Sequence, residues 1–234
     1  MPRTPPTTMG STPVAPSPLT AWAVLSLPLF LVVGACFVFI GGEQAVAAYF
    51  SAWRPEHPIA VTSLKFYTNW GNPALYLVYA GILARGLMLR RRDLTALALG
   101  YLAAQLVVSV VLERLLKIAI GRPRPDVGGP FLPWSLDPGH HAMPSGHTEE
   151  ITLQALPLAL RAGPYFAGQW LTGAWLAPLC LGLVVGAMGL SRILLGWHHP
   201  TDLLAGWLVG SLGGLLIQRL APRIAARLPK HWSR

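Results

Sequence analysis

Long apolar segments, separated by shorter polar stretches, dominate this chain. Most of them approach the roughly 20 residues that an α-helix needs to cross the hydrocarbon core of a bilayer. Six such segments are predicted, at about residues 21–42, from beyond residue 58 to 89, and at about 94–120, 147–161, 171–190 and 200–217. The pattern predicts an all-α fold, an integral membrane bundle of six transmembrane helices.

The stretches outside these segments differ in composition. The first residues are rich in Pro, Thr and Ser, which predicts disorder. Residues 43–58 carry charged side chains and are predicted to form an external loop, and residues 121–144 are rich in Pro and Gly and are predicted to form a long loop. The predicted organisation is a disordered segment over 1–19, one six-span domain over 20–221 and a basic cytoplasmic tail over 222–234.

Composition agrees with a membrane protein. Hydrophobic residues make up 53% of the 234 residues and charged residues 12%, about half the charged fraction of a typical soluble domain. The net charge of +9 is concentrated where loops leave apolar segments rather than on one soluble face, so no nucleic-acid partner is predicted. Cys36 and Cys180 lie inside apolar segments and are predicted to act as small hydrophobic side chains.

Lysine and arginine are distributed unevenly between the two sides of the predicted bundle. With six spans, both termini share one side, and that side carries most of the 18 Lys and Arg residues, including the arginines of 85–92. The positive-inside rule therefore places both termini in the cytoplasm. The predicted location is the cytoplasmic (inner) membrane, with the opposite ends of the helices facing the periplasm or exterior.

Polar side chains that suit a phosphate ester recur at those outer ends. They are Lys117 and Arg124, then Pro144-Ser145-Gly146-His147, then Ser191-Arg192 followed by His198 and Asp202. Charges so close to membrane-length helices are costly unless they work together. Because alternate ends of an up-and-down bundle meet on one side, these clusters are expected to converge on a single site.

The spacing of the clusters resembles a three-part signature. Lys117-x6-Arg124-Pro125, Pro144 to His147, and Ser191-Arg192-x5-His198-x3-Asp202 are together similar to the signature of the type 2 phosphatidic acid phosphatase superfamily. That superfamily includes integral membrane lipid phosphatases, glucose-6-phosphatase and soluble vanadium haloperoxidases. The resemblance implies a metal-independent hydrolase of lipid metabolism, without a cofactor, that acts on a lipid phosphate monoester or diphosphate in the membrane.

The resemblance also implies roles for individual residues. His198 is expected to be the nucleophile that forms a phosphohistidine, with Asp202 holding its other ring nitrogen. His147 is expected to protonate the departing alkoxide and then to serve as the base for water. The residues expected to bind the phosphate are Lys117, Arg124, Ser145, Gly146 and Arg192. Ser145 and Gly146 stand where the fourth predicted span begins, so their backbone N–H groups are expected to bind the anion.

Several alternatives stay open. The candidate substrates are phosphatidic acid, phosphatidylglycerophosphate, undecaprenyl diphosphate and the lipid A phosphates, and the oligomeric state is not predicted. The alternative functions are a lipid-to-lipid phosphotransferase and a non-enzymatic lipid-binding or transport protein. Glu149 and Glu150 are expected either to complement a helix N-terminus or to pair with a site arginine or a cationic part of the substrate.

Three further histidines raise the question of a metal. His140, His141 and His199 stand near the two motif histidines in the sequence. Since no cysteine or carboxylate pattern completes a known ligand spacing, no metal is predicted.

Overall fold

The described residues fold into α-helices, and one long loop separates the fifth helix from the sixth. The computed structural model describes residues 17–166 and 173–232. Side chains are described for all of these residues except 162–166, 173 and 174. In chain order the helices are α1 (Pro18–Phe39), α2 (Glu43–Glu56), α3 (Pro58–Met88), α4 (Arg92–Ala104), a π-helical segment (Gln105–Leu112), α5 (Glu113–Ile120), α6 (Gly146–Phe166), α7 (Gly173–Leu194) and α8 (Pro200–Arg227). A short 3-10 turn, Pro138–His140, lies in the long loop. The all-α prediction is confirmed.

Four helices in the described part of the chain are long and apolar enough to cross a membrane. They are Pro18–Phe39, Arg92–Ile120, Trp175–Leu194 and Pro200–Arg227. These helices match the first, third, fifth and sixth predicted spans. The other two predicted spans correspond to α3 and α6, which have 31 and 21 residues and carry more polar side chains. The chain is therefore a multi-pass membrane protein.

Residues 43–58 are not the external loop that the sequence predicted. They form the 14-residue helix α2 and the start of α3. Val46 and Phe50 of α2 are buried against the bundle, and Trp53 packs beside them. The spacing of these three side chains puts them on one face of a helix, which makes α2 amphipathic.

Both ends of the bundle differ from the predicted boundaries. α1 begins at Pro18, where Oγ of Ser17 accepts a hydrogen bond from the N–H of Thr20 at 3.2 Å as an N-cap. The last residues of the segment predicted to be disordered are thus helical, and residues 1–16 lie outside the described residues. At the other end, α8 continues to Arg227, so the predicted tail begins as helix.

Close helix packing brings the start of α8 against the start of α6. A Cβ atom at Gly206 would lie 2.4 Å from the main-chain oxygen of Ser145, and one at Gly210 would lie 2.2 Å from that of Glu149. Small residues allow membrane helices to approach this closely, because lipid supplies no hydrophobic force that would drive them together. The contact positions two of the three predicted site clusters next to each other.

Two apolar clusters hold the helices on either side of this contact. One joins α1, α6, α7 and α8 through buried residues such as Leu29, Ile151, Met188 and Leu203. The other joins α3, α4, α6 and α8 through residues such as Tyr79, Tyr101, Leu153 and Ile217. α6 and α8 take part in both clusters and form the centre of the bundle.

Candidate active site

The predicted site residues lie at one end of the bundle. Lys117 is in the last turn of α5, His147 in the first turn of α6, Arg192 in the last turn of α7, and His198 in the turn that precedes α8. The positive charges of Lys117, Arg124 and Arg192 act on the imidazoles of both His147 and His198. The structure thus brings these five side chains together.

His198 is held by a main-chain carbonyl. Its ring is buried, with 3% of the residue exposed. Nδ1 lies 2.7 Å from the carbonyl oxygen of Ala142 and 3.7 Å from Oδ2 of Asp202. Because a carbonyl oxygen can only accept a hydrogen bond, Nδ1 carries the proton and Nε2 of the neutral ring has the lone pair. The hydrogen bond that the sequence assigned to Asp202 is made by Ala142 instead.

Asp202 is fully buried and is bound by other groups. Its Oδ1 accepts a hydrogen bond from Nη1 of Arg122 at 2.6 Å, and its Oδ2 accepts one from the main-chain N–H of His199 at 2.7 Å. The main-chain oxygen of Asp202 accepts from the N–H of Ser145 at 2.9 Å. Asp202 therefore ties the residue before α6 to the first turn of α8, and its negative charge lies beside the ring of His198.

Burial and positive charge act on His198 in the same direction. Removal from water, followed by the charges of Arg192, Lys117 and Arg124, lowers the pKa of His198 well below its ordinary value of 6.5. The imidazole is therefore neutral at neutral pH. This is the form whose free ring nitrogen is nucleophilic.

Arg192 is fixed by contacts on two sides. Its Nη1 donates to Oγ1 of Thr68 in α3 at 3.1 Å. Its guanidinium carbon lies 4.1 Å from the centroid of the Trp197 ring, a cation–π contact. These contacts hold a planar fork of donors whose geometry suits phosphoryl oxygens. No sequence signal points to Thr68, because that residue lies far from Arg192 along the chain.

Lys117 lies against the first turn of α6. Its Nζ is 2.5 Å from Oε1 of Glu113, one helical turn earlier. A Cβ atom at Gly146 would lie 2.4 Å from the same Oε1 and 3.3 Å from Nζ of Lys117, so a side chain at this position would displace the pair. Glu113 was missed in the sequence, although its spacing from Lys117 is that of a helical ion pair.

Arg124 lies in the long loop and is partly exposed. Its Nε donates to the main-chain oxygen of Pro138 at 3.2 Å. Its main-chain N–H donates to the main-chain oxygen of Gly139 at 2.9 Å. These bonds fold the loop back on itself. They keep the charge of Arg124 within reach of both histidines.

Ser145 does not offer its N–H to an anion, contrary to the prediction. That N–H donates to the main-chain oxygen of Asp202, and Oγ of Ser145 is 3.1 Å from Oγ1 of Thr148. The N–H groups of Gly146 and His147, in the first turn of α6, remain as the donors that a helix N-terminus presents. Ser145 thus shapes the site through its contacts with α8.

The two glutamates that follow the motif bind other helices. Nδ2 of Asn72 donates to Glu150 at 2.5 Å, and two further side chains of α3 and the π-helical segment donate to the same carboxylate. Glu149 accepts a hydrogen bond from Oγ of Ser109 at 3.0 Å. Their pairing with a site arginine, one of the predicted possibilities, is therefore wrong.

The neighbouring histidines of the outer loop have partners within that loop. Nδ1 of His140 lies 3.1 Å from Oδ2 of Asp137, and Nε2 of His141 lies 2.9 Å from the main-chain oxygen of Ser135. Across residues 17–166 and 173–232, no group of three or more His, Cys, Asp or Glu side chains is arranged to hold a metal ion.

Comparison with curated proteins gives several relatives. The chain is 25% identical to an undecaprenyl-diphosphatase of Sulfolobus acidocaldarius over 79% of this chain and 84% of that protein. It is 31% identical to a lipid A 1-phosphatase of Rhizobium etli over 69% of this chain and 72% of that protein. It is 28% identical to a decaprenylphosphoryl-5-phosphoribose phosphatase of Mycobacterium tuberculosis over 75% of this chain and 89% of that protein.

A solved structure shares the fold. The crystal structure of a transmembrane PAP2-type phosphatidylglycerolphosphate phosphatase from Bacillus subtilis matches with a TM-score of 0.55 at 21% identity, over 87% of this chain and 97% of that chain. The family model described as the PAP2 superfamily matches residues 93–225, a range that contains every predicted site residue. The protein is a phosphatase, a hydrolase. Because the family model covers more than half of the sequence, the chain belongs to the PAP2 superfamily.

Proposed function

We propose that this chain is a membrane lipid phosphatase that hydrolyses a lipid phosphate monoester or diphosphate through a phosphohistidine intermediate. The observation that carries the proposal is the environment of His198. Its Nδ1 is bound to the carbonyl of Ala142, its ring is neutral, and three cations surround it. A neutral imidazole with a free Nε2 is a nucleophile, and the cations attract a phosphate to it.

In the proposed first step, Nε2 of His198 attacks phosphorus. A P–N bond forms and the P–O bond to the lipid breaks. Lys117, Arg124 and Arg192 neutralise the three equatorial oxygens, as phosphoryl transfer requires. His147, which is protonated once the negatively charged phosphate lies beside it, gives that proton to the departing lipid oxygen.

In the proposed second step, water attacks the phosphorus of the phosphohistidine. His147 accepts a proton from that water, the P–N bond breaks, and inorganic phosphate leaves. The ring of His198 is positively charged while it carries the phosphoryl group. The buried negative charge of Asp202, 3.7 Å from Nδ1, stabilises that ring.

The proposed substrates are lipids because the site lies at the ends of membrane helices and the relatives carry lipid names. Those relatives are named for undecaprenyl diphosphate, lipid A and decaprenylphosphoryl-5-phosphoribose. We take phosphatidic acid, phosphatidylglycerophosphate, undecaprenyl diphosphate and the lipid A phosphates as the candidates. All of them present a phosphate at the headgroup plane, above an apolar chain.

We further propose that six helices cross the cytoplasmic membrane, with both termini in the cytoplasm. α3 and α6 have the length for a span, and the Asn72–Glu150 contact places polar groups between them, where a bundle tolerates such groups. The arginines of 85–92 lie at the end of α3 opposite the half that contacts the site. Residues 20–221 would form the phosphatase domain, with the site facing the periplasm or exterior.

Labelling of single cysteines tests this topology. In a chain without Cys36 and Cys180, Leu136→Cys in the exposed outer loop should react with a membrane-impermeant thiol reagent in intact cells. Lys230→Cys, which is also exposed, should react only after the cells are opened. The opposite pattern would place the site in the cytoplasm and contradict the proposed topology.

A panel of the four lipid classes in one detergent tests the proposed activity. The purified protein should release free phosphate from at least one of them when that lipid is the only substrate. Phosphate that moves to a second lipid without appearing free would favour a phosphotransferase. Binding without any turnover would favour a lipid-binding protein and would contradict the proposal.

A further inference from the structure

The amphipathic helix α2 contacts both sides of the turn that carries His198. Near the end of α2, Nη1 of Arg54 donates to the main-chain oxygen of Leu194 at 3.4 Å. The same guanidinium lies over Gly196, where a Cβ atom would be 2.5 Å from it. At the first residue of α2, Glu43 binds the start of α8. The two attachments therefore bracket His198 in the sequence.

Glu43 makes the closer of these attachments. Its Oε1 accepts hydrogen bonds from the N–H of Thr201 at 3.1 Å and from Oγ1 of Thr201 at 2.5 Å. Its Oε2 forms an ion pair with Nη2 of Arg122. Thr201 directly precedes Asp202, so Glu43 reaches the residue next to the carboxylate of the site.

Arg122 connects Glu43 to the ring of His198 by two routes. Its Nη1 donates to Oδ1 of Asp202 at 2.6 Å and to Oγ1 of Thr201 at 2.7 Å. Its main-chain oxygen accepts from the N–H of Ala142 at 3.0 Å, and the carbonyl of Ala142 holds Nδ1 of His198. Arg122 is buried, with 7% of the residue exposed.

The charges of this group do not cancel. Arg122 alone would neutralise Asp202, and Glu43 adds a second negative charge. When both carboxyls are ionised, these three side chains together carry one net negative charge, which favours the positively charged ring of a phosphohistidine. Burying Arg122 and Asp202, with Glu43 partly buried beside them, is costly and adds little stability by itself. Orientation of the site is the gain that explains such an arrangement.

We propose that Glu43 and Arg122 are positioning residues for His198, and that α2 holds the turn that carries His198 in a fixed position. For its kinetic part, this inference rests on the proposed hydrolase function. α2 precedes residues 93–225, the range of the family match. A segment outside that range would thus set the geometry of the nucleophile.

Glu43→Gln tests the role of Glu43, with Glu56→Gln as the matched control at the exposed far end of α2. Glu43→Gln should lower kcat about 10- to 100-fold and change KM less than about twofold, because a misplaced nucleophile slows the chemical step. Its affinity for orthovanadate, which mimics the transition state at His198, should fall about tenfold or more. Its affinity for inorganic phosphate, which the three cations bind, should stay within about twofold.

Two results would overturn the proposal. Equal losses of vanadate and phosphate affinity would indicate a general role in folding, and unchanged affinities would indicate no role in positioning. If Glu43→Gln does not fold, Thr201→Val removes the hydroxyl between Glu43 and Arg122, with Thr201→Ser as its control. The same pair of affinities then decides the question.

The proposed function and this inference fail separately. A wild-type protein that binds vanadate but releases no phosphate from any lipid would contradict the hydrolase proposal. The ratio of vanadate to phosphate affinity in Glu43→Gln would still support or overturn the positioning role.

Discussion

His198→Ala is expected to lower phosphate release from a lipid phosphate by about 10⁴-fold or more. Without the imidazole, no phosphohistidine can form, and water has to attack the substrate directly. Inorganic phosphate should still bind within about threefold of the wild-type affinity, since Lys117, Arg124 and Arg192 remain. The rate is measured as free phosphate released in detergent. The affinity for inorganic phosphate is measured by calorimetry.

The control for this change is His57→Ala. His57 lies between α2 and α3, is exposed, and stacks on Trp53 with ring centroids 4.5 Å apart. Its replacement should leave phosphate release near the wild-type rate. Equal rates for His198→Ala and the wild type would contradict the nucleophile assignment.

Arg192→Ala is expected to lower kcat/KM by about 10²- to 10³-fold, the usual cost of removing one donor from a developing oxyanion. Arg192→Lys should recover only part of that loss. A lysine keeps the charge, but it lacks the planar fork that reaches Thr68 and stacks on Trp197. Initial rates over a range of substrate concentrations for both variants provide the measurement.

Arg114→Ala controls for the loss of one positive charge near the site. Arg114 lies one turn before Lys117 and is exposed. Arg114→Ala should change kcat/KM by less than about threefold, because the charge it removes is a surface charge screened by salt. If Arg192→Ala and Arg114→Ala had the same small effect, Arg192 would not hold the phosphoryl group.

The sequence predicted the parts of the fold that depend on local pattern. Apolar length located the helices, and the three-part signature placed Lys117, His147, Arg192 and His198 in one site. The amphipathic helix α2 was missed because its charged residues and prolines suggested a loop. The spacing of Val46, Phe50 and Trp53 contained the signal for it.

The errors within the site come from contacts between distant segments. His198 and Asp202 are four residues apart, a spacing that predicts contact on one helix. However, α8 begins only at Pro200, so His198 lies outside the helix and turns to Ala142. The N–H of Ser145 was assigned to an anion by its place at a helix start, and the carbonyl of Asp202 takes it instead.

The π-helical segment Gln105–Leu112 decides which way α5 faces. Each residue turns an α-helix by about 100°, and the wider i→i+5 turns of this segment change the angle at which α5 emerges. In that orientation, Ser109 meets Glu149, while Glu113 and Lys117 meet Gly146. The rotational phase of Lys117 is thus set near the middle of the candidate membrane span Arg92–Ile120. An insertion or deletion there would re-aim that lysine without altering any residue of the site.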